Sequence, residues 1–201
     1  MAPFSKWASV VLAAVAGTAS VSGVVLAVMV YTPLWMDAAC GFHGRCEAFG
    51  RDEAREHIFE LAAFFRHQGT LDGRWTAKEI AHLSEVRGFY DVLFLAWPLV
   101  VVLMLVTLRR ARARAVAVTV AALTLAAAAL LPAFGYVWDE VFHALMFDND
   151  WWKNTRADVS WWILPNQFFF ATVVAFLLTW SAMAALLWVW GSGEAGLDER
   201  G

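Results

Sequence analysis

Residues 89–134 read FYDVLFLAWPLVVVLMLVTL (89–108), RRARAR (109–114) and AVAVTVAALTLAAAALLPAF (115–134). Each outer stretch has the roughly 20 apolar residues that a helix needs to cross a hydrocarbon core of about 30 Å. The link between them holds Arg109, Arg110, Arg112 and Arg114. Basic residues beside short loops stay on the cytoplasmic side. The stretch therefore predicts a hairpin of two transmembrane helices whose closed end lies in the cytoplasm.

Working outward, residues 7–31 and 168–190 supply two more apolar stretches of spanning length. Four crossings place both termini on one side, and Lys6 before the first span agrees with a cytoplasmic one. The expected fold is an all-α membrane protein, a single integral membrane domain over residues 1–201. Four transmembrane helices leave two extracytoplasmic segments, about 32–88 and 135–167, the first long and partly helical. Composition agrees: 61% of the 201 residues are hydrophobic, twelve are Trp, and mean hydropathy is +0.57. A soluble domain is not that apolar. The first span is longer than the apolar core of a signal peptide, so it reads as an anchor. No lipidation signal is present.

The net charge of −3 singles out no partner, and no basic, aromatic-interleaved surface points to nucleic acid. In the long segment, 52–65 reads as an amphipathic helix, with Ile58, Leu61, Ala62 and Phe65 on one face. Residues 69–73 read as a turn with glycine at both ends. Thr76-Ala77-Lys78-Glu79 then fits a capping box. The helix it opens carries His82 and Glu85 on one face and runs into the second span, with Gly88 as a bend point.

The two outer segments hold all five histidines and both cysteines. Cys40 and Cys46, with five residues between them, read as a structural disulfide in an oxidising compartment. A redox pair is more usually spaced C-x-x-C, and a zinc site on Cys40, His43 and Cys46 lacks a fourth ligand. His57 and His67 have no acidic or aromatic cluster nearby in sequence and read as packed or solvated. His82 and His143 differ. Glu85, Arg87, Tyr90 and Asp91 follow the first, and ionisable groups at such a boundary are costly. Asp139 precedes the second by one turn, where a carboxylate fixes an imidazole's tautomer. No H-E-x-x-H or G-x-S-x-G motif appears, and Ser84 and Ser160 lack nucleophile surroundings. The pattern points to acid–base chemistry at a lipid–water boundary, without a protein nucleophile or cofactor, and metal binding by the two histidines with Asp139, Asp148 and Asp150 stands as an alternative.

Glu79, His82 and Val86, then Phe142, His143, Phe147 and Trp152, and finally Leu164, Pro165 and Phe169 form a pattern that resembles the lipoprotein intramolecular transacylase family of Gram-positive bacteria. The resemblance covers nearly the whole chain. It departs at Glu85, where the family usually has Asp. It implies movement of an acyl chain from the sn-2 ester of a diacylglyceryl lipoprotein to the α-amine of the same molecule's N-terminal cysteine, giving a lyso-form lipoprotein. The implied partners are that substrate and membrane lipids. His82 and His143 are then the candidate acid–base pair. Tyr90, Arg87 and Asn154 are candidate oxyanion stabilisers, with Glu85, Asp91 and Asp139 in support. Two alternatives stand beside this reading: a four-span thiol–quinone oxidoreductase using the cysteines, and a non-enzymatic assembly subunit in which the histidines are incidental.

Overall fold

Inside hydrocarbon a backbone must satisfy its own N–H and C=O groups, and only helices do so within one segment. The computed structural model, which describes residues 3–109 and 111–198, is helical accordingly. Its helices are α1 (Pro3–Tyr31), α2 (Pro33–Ala39), α3 (Arg45–Phe49), α4 (Arg51–Phe65), α5 (Ala77–Leu108) and α6 (Ala113–Ala128). They continue as α7 (Phe134–Tyr136), α8 (His143–Met146), α9 (Val159–Ile163) and α10 (Asn166–Asp198). Among the described residues there is no strand. Four segments are long and apolar enough to cross a membrane: Lys6–Tyr31, Ala77–Leu108, Ala113–Met146 and Asn166–Ser192. The protein is a multi-pass membrane protein.

Two of these segments extend further than their apolar stretches. Helix α5 starts twelve residues before Phe89, because the capping box nucleates it, and it runs through Gly88 without interruption. The third segment is regular only to Ala128. Pro132, which lacks an N–H, lies in a 3₁₀ turn at Leu131–Ala133, and a π-helical turn follows at Val137–Phe142. The helical path thus continues to Met146 through four changes of winding, with α7 between the 3₁₀ and π turns and α8 after them.

The chain divides into two units. The first comprises Met1–Val24, Leu93–Pro132 and Val174–Gly201. Here Val10, Ala13 and Ala14 of α1 pack with Val116 and Val120 of α6 and Ala184 of α10. Small residues let membrane helices approach. Gly23 is an instance: a Cβ there would lie 2.5 Å from Trp97 Nε1, whose N–H donates to the Ser20 carbonyl at 3.0 Å.

The second unit comprises Val25–Val92 and Ala133–Val173, and holds the polar segments. Its core is built on α4, where Ile58, Leu61, Ala62 and Phe65 are all buried as their helical spacing predicts. Each large side chain so placed contributes about 1.5–3 kcal/mol. Met36 of α2, Cys46 of α3 and Ile163 of α9 complete it. Cys40 and Cys46 are joined as a disulfide, with their Cα atoms 5.6 Å apart. Helix α4 ends with His67 at φ 58°, its N–H donating to the Phe64 carbonyl while Gln68 N–H donates to that of Ala63. This is a Schellman closure in which glycine is the usual residue.

Candidate active site

The site lies within the second unit, where the first three turns of α5 meet the segment 138–160. Thr76 and Glu79 form the capping box in full. Thr76 N–H donates to Glu79 Oε2 at 3.0 Å, and Glu79 N–H donates to Thr76 Oγ1 at 3.3 Å. The other carboxylate oxygen of Glu79 accepts from the backbone N–H and hydroxyl of Ser160, at 2.7 and 2.6 Å. Glu79 is only 1% exposed. A buried carboxylate is tolerable when donors reach both of its oxygens, as they do here.

A second carboxylate works beside it. Asp158 accepts from Lys78 Nζ at 2.8 Å, from the N–H and hydroxyl of Thr155 at 2.6 and 3.0 Å, and from Thr76 Oγ1 at 3.0 Å. Burial alone would raise the Asp158 pKa, but these donors outweigh it and hold the carboxyl below its ordinary value. Lys78 also donates to the Lys153 carbonyl at 2.7 Å. The start of α5 is thereby latched to the segment 153–160, one turn before His82.

His82 and His143 meet. Their ring centroids are 6.5 Å apart, with the Phe147 ring 4.7 Å from His82 and 5.9 Å from His143. Trp152 stacks on His143 at 4.2 Å, and Trp138 contacts it edge-on at 5.0 Å. His143 is 7% exposed. The π-helical turn brings the Trp138 carbonyl under it, so that the backbone N–H of His143 donates there and Nδ1 lies 2.6 Å from the same oxygen. A carbonyl only accepts, so Nδ1 carries the proton and, in the neutral ring, Nε2 presents a lone pair.

His82 Nδ1 is buried without a hydrogen-bond partner among the described residues, 3.8 Å from Glu85 Oε2. Asn149 Nδ2 donates to Glu85 at 3.0 and 3.3 Å, one contact to each oxygen. Asn149 Oδ1 accepts from Trp151 N–H at 3.0 Å, an Asx turn that leaves only the amide N–H groups facing the carboxylate.

Several residues expected in support are engaged elsewhere. The Arg87 guanidinium lies over the Phe64 ring at 4.0 Å and donates to the Phe64 carbonyl at 3.2 Å. Five residues along α5 from His82, it falls on another face of the helix. Asp91 accepts from His67 Nε2 at 3.0 Å. It lies about 13 Å along the helix axis from His82, at 1.5 Å per residue. Tyr90 packs edge-on against Phe65 at 5.8 Å. Asp139 accepts from Asn166 Nδ2 at 3.1 Å, so the tautomer of His143 is set by a backbone carbonyl and not by this carboxylate. Asn154 Oδ1 is buried without a hydrogen-bond partner among the described residues.

His57 and His67 are not as isolated as the sequence suggests. His57 Nδ1 lies 2.9 Å from Glu60 Oε2, with the Trp75 ring at 5.7 Å and Phe49 at 6.0 Å, and His67 has Asp91. Cys40, His43 and Cys46 place ligand-type atoms within 4.8 Å of one another. The two sulfurs are committed to each other, and thiolates are the metal-binding form. Both ring nitrogens of His43 are buried without hydrogen-bond partners among the described residues. Burial, then the charges of Arg45 and Arg51, lower its pKa.

None of the curated proteins compared matches the chain. Among solved structures, the chain is similar to the membrane integral lipoprotein intramolecular transacylase Lit from Bacillus cereus, with a TM-score of 0.78 at 13% identity over 100% of both chains. At that identity the likeness speaks for the fold. The family model for the lipoprotein intramolecular transacylase Lit matches residues 55–169, which include both histidines, the latch and the Asn149–Glu85 contact. That match spans more than half of the sequence, and the chain belongs to the lipoprotein intramolecular transacylase family, membrane acyltransferases of lipoprotein processing.

Proposed function

We propose that this acyltransferase moves the sn-2 acyl chain of a diacylglyceryl-cysteine lipoprotein to that molecule's own α-amine, with His82 and His143 handling the protons. The observation that carries the reading is the pairing of two imidazoles, 6.5 Å apart, while both cysteines are joined to each other and the Ser84 and Ser160 hydroxyls donate elsewhere. Nucleophile and ester belong to one substrate molecule, so holding it in attack geometry supplies much of the acceleration.

An α-amine has a pKa of about 7.7–8.0 and is largely protonated at neutral pH. His143 Nε2 takes the ammonium proton and releases the free amine. The nitrogen then bonds to the ester carbonyl carbon and passes its next proton to His82. His82 returns that proton to the glyceryl oxygen as the carbon–oxygen bond breaks. The products are an amide on cysteine and a free sn-2 hydroxyl. Glu85, held by Asn149, faces Nδ1 of His82 and supports the transient imidazolium. Asn154 is the candidate donor to the tetrahedral oxyanion. No nucleotide is consumed, because an ester is exchanged for an amide.

The whole chain serves as one integral membrane domain in this reading. Both termini are cytoplasmic, and the histidine segments lie on the extracytoplasmic face, as the arginines of 109–114 favour. Purified protein should convert a diacylglyceryl lipopeptide with a free amino terminus to its N-acyl lyso form, read by mass spectrometry. Blocking the amine should stop the reaction. Failure of the unblocked peptide to convert in every lipid environment would overturn the proposal.

A further inference from the structure

Two cations share one tryptophan in the second unit. The Arg45 guanidinium lies 3.9 Å from the centre of the Trp161 ring, and that of Arg156 lies 5.6 Å from it. Arg45 also donates to the Trp161 carbonyl at 2.8 Å. The neighbouring carboxylates are already used. Glu47 faces Arg51 at 3.7 Å, and Asp158 holds Lys78 at 2.8 Å. Among the described residues neither Arg45 nor Arg156 forms an ion pair with a carboxylate. Burial, followed by the Arg156 charge, lowers the Arg45 pKa, so the two positive charges act on one another.

An aromatic face offsets part of that repulsion, but two guanidinium groups gathered on one ring with no carboxylate partner among the described residues suit an oxyanion. Its place names the oxyanion. Trp161 stands five residues before Asn166, the first residue of α10, with Trp162 packed against it at 4.6 Å. Tryptophans at the end of a membrane span mark the headgroup level, where the abundant oxyanion is a lipid phosphate. Basic pockets at that level bind anionic headgroups. The Cys40–Cys46 disulfide fixes the segment that carries Arg45, so the site is built and not merely a mobile charge.

We propose that Arg45, Trp161 and Arg156 form a binding site for the phosphodiester of an anionic membrane phospholipid, separate from the histidine pair. The occupant is structural lipid. The diacylglyceryl substrate has no phosphate at its lipid moiety, so the site does not depend on the transacylase reading.

The test uses the full-length protein in neutral detergent, offered equal amounts of phosphatidylglycerol and phosphatidylcholine, with retained lipid read by native mass spectrometry. Wild type should retain phosphatidylglycerol preferentially. Each arginine is expected to account for about fivefold of the preference, so Arg156→Gln should lose about that much and Arg45→Gln with Arg156→Gln nearly all. Arg156→Lys should keep most of it. Lys153→Gln, which removes a cation of the same segment that pairs with Asp150, should change nothing. Arg45 has a structural bond, so a misfolded Arg45 variant leaves the decision to Arg156, which is exposed. Equal retention of the two lipids by wild type would overturn the proposal, as would unchanged preference in a folded Arg156→Gln protein. Displacement of the lipid by excess inorganic phosphate would show a free-anion site and would also overturn it.

Discussion

Asn149 holds Glu85 from across the site, its side-chain amide 3.0 Å from Oε1, while Glu85 faces the Nδ1 of His82 at 3.8 Å. Only the middle residue of Asp148-Asn149-Asp150 can donate to a carboxylate. Asn149→Asp should therefore repel Glu85 and reduce turnover about 10²-fold, within the range for losing one acid–base function. Asn149→Ala should be milder. Steady-state rates on the lipopeptide decide it, and an Asn149→Asp enzyme as fast as wild type would remove Glu85 from the mechanism.

The two histidines should fail differently with pH. Without His143 the enzyme relies on substrate that is already deprotonated. His143→Gln activity should therefore climb steeply as pH rises through the amine's value of about 7.7–8.0. His82→Gln should stay about 10²–10⁴-fold slow at every pH, since the leaving oxygen has no proton donor. Parallel pH–rate profiles for the two variants would sink the division of labour.

Asp158 ties pH to stability through the latch. Its folded pKa lies below the ordinary carboxylate value, so its contribution is present above the unfolded pKa of about 3.9 and is lost as pH falls through the folded one. Asp158→Asn should cost about 2 kcal/mol at neutral pH, the scale of hydrogen bonds to a charged group. The gap from wild type should close as pH drops below about 4. Thermal denaturation at a series of pH values measures this, and a gap that persists in acid would contradict it.

Removing the disulfide with Cys40→Ser and Cys46→Ser together should lower stability by about 2 kcal/mol, the chain-entropy value for so short a loop. Transacylation should persist, because the histidine pair does not touch it. Loss of turnover in a folded double variant would return weight to a redox role for the cysteines.

The orientation has its own check. A reporter fused after Gly201 should be cytoplasmic, and a cysteine introduced at Asp72 should react with an impermeant label applied outside. Reaction only after permeabilisation would reverse the topology and move the histidines to the other face.

Much of this is legible in the chain because the relevant forces are local. The four apolar stretches, the helix over 52–65 with its buried face, and the capping box at Thr76–Glu79 depend on neighbours within a few residues. The family pattern identified the transacylase, which displaces the thiol oxidoreductase and assembly-subunit alternatives. Spacing could not show where side chains go once helices pack. Arg87 and Asp91 follow His82 closely in sequence, yet helical rotation turns one to Phe64 and rise carries the other to His67. Asp139 stands one α-turn from His143, but the local winding is not α, and a carbonyl takes its place. Asn149 was hidden for a different reason. Its partner Glu85 is 64 positions away, and the nearest hint was one amide between two acids. Glu79 had a local role that masked its distant bond to Ser160.

The π-helical turn at Val137–Phe142 is an α-helix that has accommodated one residue too many. Taking out any single residue there would restore regular winding, and everything after it would swing by about 100° about the helix axis. The ring of His143 would then be turned away from that of His82. What the segment must preserve is therefore a count as well as a composition: a one-codon deletion there should cost activity without touching either histidine.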